Sequence, residues 1–204
     1  METTIFGKKD IILKKATLLF TKYGTQSLSM DDIANECGVS KRTVYKYFQN
    51  KADLINQIIG IKITRFQENL EDITMKSKNA VVELHWFFMY YKEVISSYSP
   101  TFLRDLKRSE LIFYVKYSNI NNEIILPFFL KNIERGQLEG LYKQDLDQKE
   151  MSQSVLNMLS YIFTENSLAH IENTYGTLDF FGKLLMHRLV TVEGLDELNA
   201  IETP

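Results

Sequence analysis

The stretch from Ser29 to Leu54 reads Ser-Met-Asp-Asp-Ile-Ala-Asn-Glu-Cys-Gly-Val-Ser-Lys-Arg-Thr-Val-Tyr-Lys-Tyr-Phe-Gln-Asn-Lys-Ala-Asp-Leu. The hydroxyl of Ser29 can cap a helix. Asp31 and Asp32 fall in its first turn, where carboxylates suit the positive helix end. Ile33 and Ala34 are its inward residues. Gly38 ends it, since glycine adopts the positive φ of a tight turn at no steric cost. Val39 can plug the angle between two helices, and Ser40 can cap the next one, from Lys41 to Phe48. Gln49-Asn50 breaks that helix, and a longer one starts near Lys51. Two short helices joined by a glycine turn describe a helix-turn-helix.

Towards the N-terminus, Ile12, Ala16, Leu19, Phe20 and Tyr23 recur at helical spacing, with Gly24 in the place of a C-terminal cap. The result is a three-helix head. It is basic: residues 1–51 hold nine Lys or Arg and five Asp or Glu, a balance of +4, whereas the whole chain carries −2. A basic head on an acidic body suggests a polyanion partner for the head alone, although a solvated charged face would give the same count. A helix that enters a major groove roughly 12 Å wide needs donors on its outer face. Lys41, Arg42, Thr43 and Lys46 supply them, while Val44 and Phe48 can hold the helix on the head. The phenols of Tyr45 and Tyr47 and the ammonium of Lys51 can reach phosphates. With the capping serines, the candidate DNA-binding residues are Ser29, Ser40, Lys41, Arg42, Thr43, Tyr45, Lys46, Tyr47 and Lys51.

These residues carry a resemblance. Ile33-Ala34, Gly38-Val39-Ser40, Tyr45-Lys46-Tyr47-Phe48 and Lys51-Ala52-Asp53-Leu54 are similar, in type and spacing, to the DNA-binding signature of tetracycline-repressor-type (TetR) regulators. Arg42 stands where many members have glycine, and Cys37 where alanine is usual. The resemblance implies an all-α chain of about nine helices. Residues 1–52 would form the helix-turn-helix DNA-binding domain, and residues 53–204 a larger helical domain for effector binding and dimerisation. It implies a homodimer on a palindromic operator and a small-molecule effector, with repression relieved by ligand as the commoner outcome.

Helical spacing continues beyond the head. A fourth helix runs to about residue 72, a fifth from 77 to 98, and Pro100 opens a short segment. A long helix then covers about 109–135, with a kink expected at Pro127, and two last helices fall near 147–172 and 176–193. Twelve of the 25 aromatic residues lie between Trp86 and Phe129. One reading of that concentration is a cavity for a lipophilic or planar ligand, lined by Trp86, Phe87, Tyr90, Tyr91, Phe102, Phe113, Tyr114, Tyr117 and Phe128. The other is a packed aromatic core. The last two helices are apolar around more than one face, which fits burial against both the body and a partner. Val155, Leu159, Ile162, Phe181, Leu185 and Leu189 are the candidates for that role.

Other classes find little support. Gly and Pro total only 12 residues, which argues against a loop-rich β-fold. The single Cys37 excludes an internal disulfide and a cysteine-based zinc site. His85, His170 and His187 form no metal-binding pair, and no nucleophile elbow or phosphate loop occurs. No enzyme activity, metal or cofactor is expected. The N-terminus lacks a signal-peptide pattern, and the densest apolar run, 84–91, is far short of a membrane span. A cytoplasmic protein without a membrane partner is expected. Two alternatives stay open: a helical DNA-binding protein without a small ligand, and a helical interaction module that merely carries this fold.

Overall fold

The computed structural model describes residues 7–108, 119–161 and 171–202. The described residues form ten α-helices: α1 (Lys8–Tyr23), α2 (Met30–Cys37), α3 (Lys41–Tyr47), α4 (Lys51–Lys76), α5 (Ala80–Ser96), α6 (Pro100–Arg108), α7 (Leu126–Leu138), α8 (Gln148–Tyr161), α9 (Ile171–Leu189) and α10 (Val192–Glu202). A π-helical turn, Ile120–Ile125, precedes α7. One isolated antiparallel bridge joins Tyr142 to Val190.

Three expectations change. The segment after Pro100 is a regular helix, and α10 lies beyond the two C-terminal helices foreseen. Helix α10 is started by Thr191, whose hydroxyl accepts from the N–H of Gly194 at 3.1 Å. At Pro127 the structure shows a π-turn just upstream rather than a simple proline kink. Proline has no N–H for the carbonyl one turn back, and its ring crowds that carbonyl. The wider turn relieves the conflict, and the N–H of Leu126 reaches back to the carbonyl of Asn121.

The chain packs as two compact units. One takes the chain up to Arg65 and returns to include α6. Its core holds Ile12, Ala16, Phe20, Ile33, Ala34, Val44, Phe48, Leu54 and Ile58, with Phe102 and Leu103 from α6. Cys37 is buried in the same unit, and burial pushes its thiol up.

The other unit takes Phe66–Ser96 and the chain after α6. Its core is aromatic. The Phe87 ring stacks on Phe128 at 4.8 Å and on Tyr91 at 5.6 Å, and meets Phe129 edge-on at 4.9 Å. A buried polar network ties α5 to α7 and to the loop after it. The Tyr142 hydroxyl lies 3.0 Å from the carbonyl of Ala80 and 3.2 Å from Oδ1 of Asn132. Nδ2 of Asn132 donates to Oε2 of Glu83 at 2.9 Å. Arg135 bridges Glu83 at 3.3 Å and Glu139 at 2.7 Å. Glu83, Asn132 and Tyr142 are all buried, so the network is tolerable because its members satisfy one another.

Candidate nucleic-acid interface

Local chemistry builds the helix-turn-helix. Ser29 and Asp32 cap each other: Oγ of Ser29 accepts from the N–H of Asp32 at 3.1 Å, and the N–H of Ser29 donates to the Asp32 carboxylate at 2.8 Å. The Ser29 hydroxyl hydrogen bond holds the Asp32 carboxyl below its ordinary value. Gly38 takes φ 68°, ψ 32°, the left-handed conformation that lets the chain leave α2 and start α3 two residues later. Ser40 caps α3, accepting from the N–H of Thr43 at 3.2 Å. Val44 and Phe48, both fully buried, anchor the helix.

With Val44 and Phe48 turned inward, Lys41, Arg42, Tyr45 and Lys46 stand exposed. Their spacing of i, i+1, i+4 and i+5 puts them on one face. Thr43 and Tyr47 are half-buried at its edges, and the Thr43 hydroxyl is 2.9 Å from that of Ser40. Lys41 pairs with Asp31 at 2.9 Å, and that hydrogen bond raises its pKa. Lys46 lies over the Tyr47 ring at 5.9 Å. Among the described residues Arg42 has no carboxylate partner, so its guanidinium faces outward uncommitted. Lys51 differs from expectation in degree. It is half-buried, and burial lowers its pKa against the opposing pull of Asp105 and Asp32.

Two contributors were missed in the sequence. Lys9 lies over the Phe48 ring at 5.9 Å, so the start of α1 adds a cation at the end of α3. Its signal was present in the pair Lys8-Lys9 ahead of the first apolar repeat. Asp105 of α6 accepts from the N–H of Gln26 at 2.8 Å, across 79 residues. The N–H of Ser99 donates to the carbonyl of Thr21 at 2.9 Å. Gly24 lies between these bonds at φ 87°, and a Cβ there would come within 2.6 Å of both Asp105 and Thr101. Helix α6 thus grips the turn from α1 to α2. Asp105 is buried, so Asp105→Ala leaves the Gln26 N–H unpaired and is expected to cost about 2 kcal/mol. A thermal melt reads that loss, with faster hydrogen exchange at Gln26.

The remaining candidate residues fall into two groups. Of the aromatic set, Phe87, Tyr91 and Phe128 belong to the stacked core, Tyr90 is half-buried and Trp86 is exposed. Phe102 is buried in the first unit, where α6 packs on α1. Phe113, Tyr114 and Tyr117 lie outside the described residues. A shallow recess between α5 and α9, with Phe88, Met89, Lys92, Asp179 and Lys183 in its wall, contains none of the set.

The dimer candidates fall mostly on the inward side of their helices. Val155, Leu159, Leu185 and Leu189 are buried in the chain's own core, and Phe181 is half-buried against it. Ile162 lies outside the described residues. The apolar side chains that α8 and α9 turn outward are Met158 and Tyr161, and Phe180 and Leu184.

The sequence profile of the bacterial regulatory proteins of the tetR family matches residues 12–58, the span of this helix-turn-helix and its supports. This segment matches the DNA-binding part of tetR-family regulators. The chain's curated relatives are named as regulators of transcription. An uncharacterized HTH-type transcriptional regulator, YhgD of Bacillus subtilis, is 31% identical over 65 residues, 32% of this chain and 34% of that one. The match thus spans about a third of that relative's length. The icaADBC biofilm-operon negative transcriptional regulator IcaR of Staphylococcus aureus is 24% identical over 178 residues, 86% of each chain. Among solved structures, the regulator FadR of Bacillus subtilis in complex with stearoyl-CoA superposes with a TM-score of 0.67 at 19% identity. The superposition covers 87% of this chain and 97% of that one, and it speaks for the fold. Among the described residues no cluster of His, Cys, Asp and Glu could hold a metal ion, and no helix is long and apolar enough to cross a membrane.

Proposed function

We propose that this chain is a TetR-type, ligand-responsive transcriptional repressor that binds a palindromic operator as a homodimer and is released by a small effector. The observation that carries the reading is the outer face of α3. Lys41, Arg42, Tyr45 and Lys46 project from a helix that Val44 and Phe48 pin to the head. Residues 1–52 read DNA, and residues 53–204 carry the effector and dimer functions, with α6 as the part that grips the head.

A two-fold dimer sets its two recognition helices about 34–36 Å apart, one turn of DNA. The exposed Phe180 and Leu184 of α9 and Met158 and Tyr161 of α8 supply the partner face. The effector acts by binding one arrangement of the chain better than another, and it shifts DNA binding only by that difference. The stearoyl-CoA bound by the FadR neighbour supports a lipophilic effector here.

The test is selection of bound duplexes from a random pool at about 150 mM salt, a concentration that suppresses non-specific phosphate binding. An enriched palindrome supports the reading, and an unenriched pool refutes it. In the same assay Arg42→Ala is expected to relax preference at one base position per half-site by roughly 1–3 kcal/mol, the worth of a bidentate guanine contact. Unchanged specificity removes Arg42 from base reading.

A second reading, a DNA-binding repressor without a small ligand, is favoured by the tight ring packing of Phe87, Tyr91, Phe128 and Phe129. Release of the selected duplex by any small molecule at a single saturable site excludes it.

A further inference from the structure

Lys62 of α4 is a half-buried lysine that lies over an aromatic ring. Its ammonium sits 4.7 Å from the centroid of the Tyr98 ring. Tyr98 in turn packs on Phe102 at 5.3 Å. Phe102 is buried, so the Tyr98 ring under the cation is backed by a second, buried ring. Lys62 is itself half-buried, and burial lowers its pKa, with Arg65 adding to the effect. Lys41, Lys78, Lys92 and Lys183 each pair with a carboxylate. Lys62 pairs with none among the described residues. An aromatic face offsets only part of the cost of withdrawing an ammonium from water. An anion of the right size completes the compensation.

The position matters as much as the charge. Tyr98 directly precedes Ser99, whose N–H holds the end of α1, and α6, whose Asp105 holds Gln26. A group bound at Lys62, beside Tyr98, therefore lies next to the root of the segment that grips the head.

We propose that Lys62, with Tyr98 and Phe102, forms the polar end of the effector site and takes a small organic monoanion, a carboxylate carried on an apolar body. A single ammonium matches a single negative charge, and the charge-assisted bond is of the strong kind. The rings meet the apolar part. This proposal rests on the ligand-responsive reading above and names the chemical class of its ligand.

The experiment uses two matched pairs, decanoate with decanol and phenylbutyrate with phenylbutanol, titrated calorimetrically into the full chain without DNA. At least one acid is expected to bind at least about tenfold tighter than its alcohol, a difference of about 1.4 kcal/mol. Lys62→Met, which keeps the length and apolar stem, is expected to abolish that preference, and Lys62→Arg to retain it. Lys62→Gln serves if the methionine variant does not melt like the wild type. Equal binding of acid and alcohol, no binding by either acid, or a preference that survives in Lys62→Met overturns the site. Release of the selected duplex is measured separately. Lys62-dependent binding that leaves DNA affinity unchanged upholds the site and overturns the ligand-responsive reading.

Discussion

Leu184→Glu is expected to turn the proposed dimer into a monomer and to lower operator affinity by at least about a hundredfold, or roughly 3 kcal/mol. Phe180 and Leu184 are 68% and 57% exposed, one turn apart on the outer face of α9. Large apolar side chains left in water at helical spacing mark a surface that another surface covers. A glutamate in the middle of such a face must be stripped of water on association, which costs several kcal/mol. The folded monomer is spared, because the same carboxylate is solvated when the face is open. Sedimentation velocity therefore separates the two effects, with the mass halved and the melt of the single chain little changed. Loss of the dimer also removes the second half-site contact, so DNA binding falls although α3 is untouched. An unchanged sedimentation coefficient would show that this face is not the interface. Leu185→Glu, one residue on, has a different expected outcome. That side chain is buried in the chain's own core, so the variant should unfold rather than dissociate.

Gly136→Ala should strongly destabilise the second unit. Gly136 is buried on α7, and the Tyr142 ring lies flat where a Cβ would project. The N–H groups of Leu141 and Tyr142 both donate to the carbonyl of Gly136 at 2.9 Å, so the ring cannot swing away without breaking that turn. Overpacking of a filled core costs about 1–3 kcal/mol. Displacing the Tyr142 hydroxyl from Ala80 and Asn132 adds roughly another 1 kcal/mol. A total near 3 kcal/mol lowers the midpoint of thermal unfolding by about 10 °C in a chain of this size. Tyr142→Phe is the control: it loses only the hydroxyl contacts and should shift the midpoint by about a third as much. Equal stability of Gly136→Ala and wild type would mean that the loop repacks freely.

The head was legible because its signals are local. Ser29, Gly38 and Ser40 each fix a helix end through atoms within three or four residues, and the apolar spacing of Ile12, Ala16 and Phe20 is that of a single buried face. The grip of Asp105 on Gln26 was not legible, because a carboxylate 79 residues away leaves no mark on either segment. Phe102 was grouped with the body's aromatics for the same reason: its partner is α1, which only the folded chain reveals. The C-terminal helices show a different limit. Leu184 and Leu185, or Phe180 and Phe181, are equivalent in composition, and a helix that is apolar on several sides does not say which faces its own core. The dimer candidates were therefore drawn from the inward rows. Of the aromatic concentration between Trp86 and Phe129, the described core members turned out to be packing for one another.

Cys37 gives the first unit a built-in clock. It is the chain's only thiol, it lies at the end of α2, and its burial keeps it protonated and covered. A thiol-reactive dye added to the native protein can label it only during moments when α2 lifts from its neighbours. The labelling rate is therefore a direct count of those excursions, with no mutation and no background from the rest of the chain. Operator DNA should slow that clock by holding the helix pair closed.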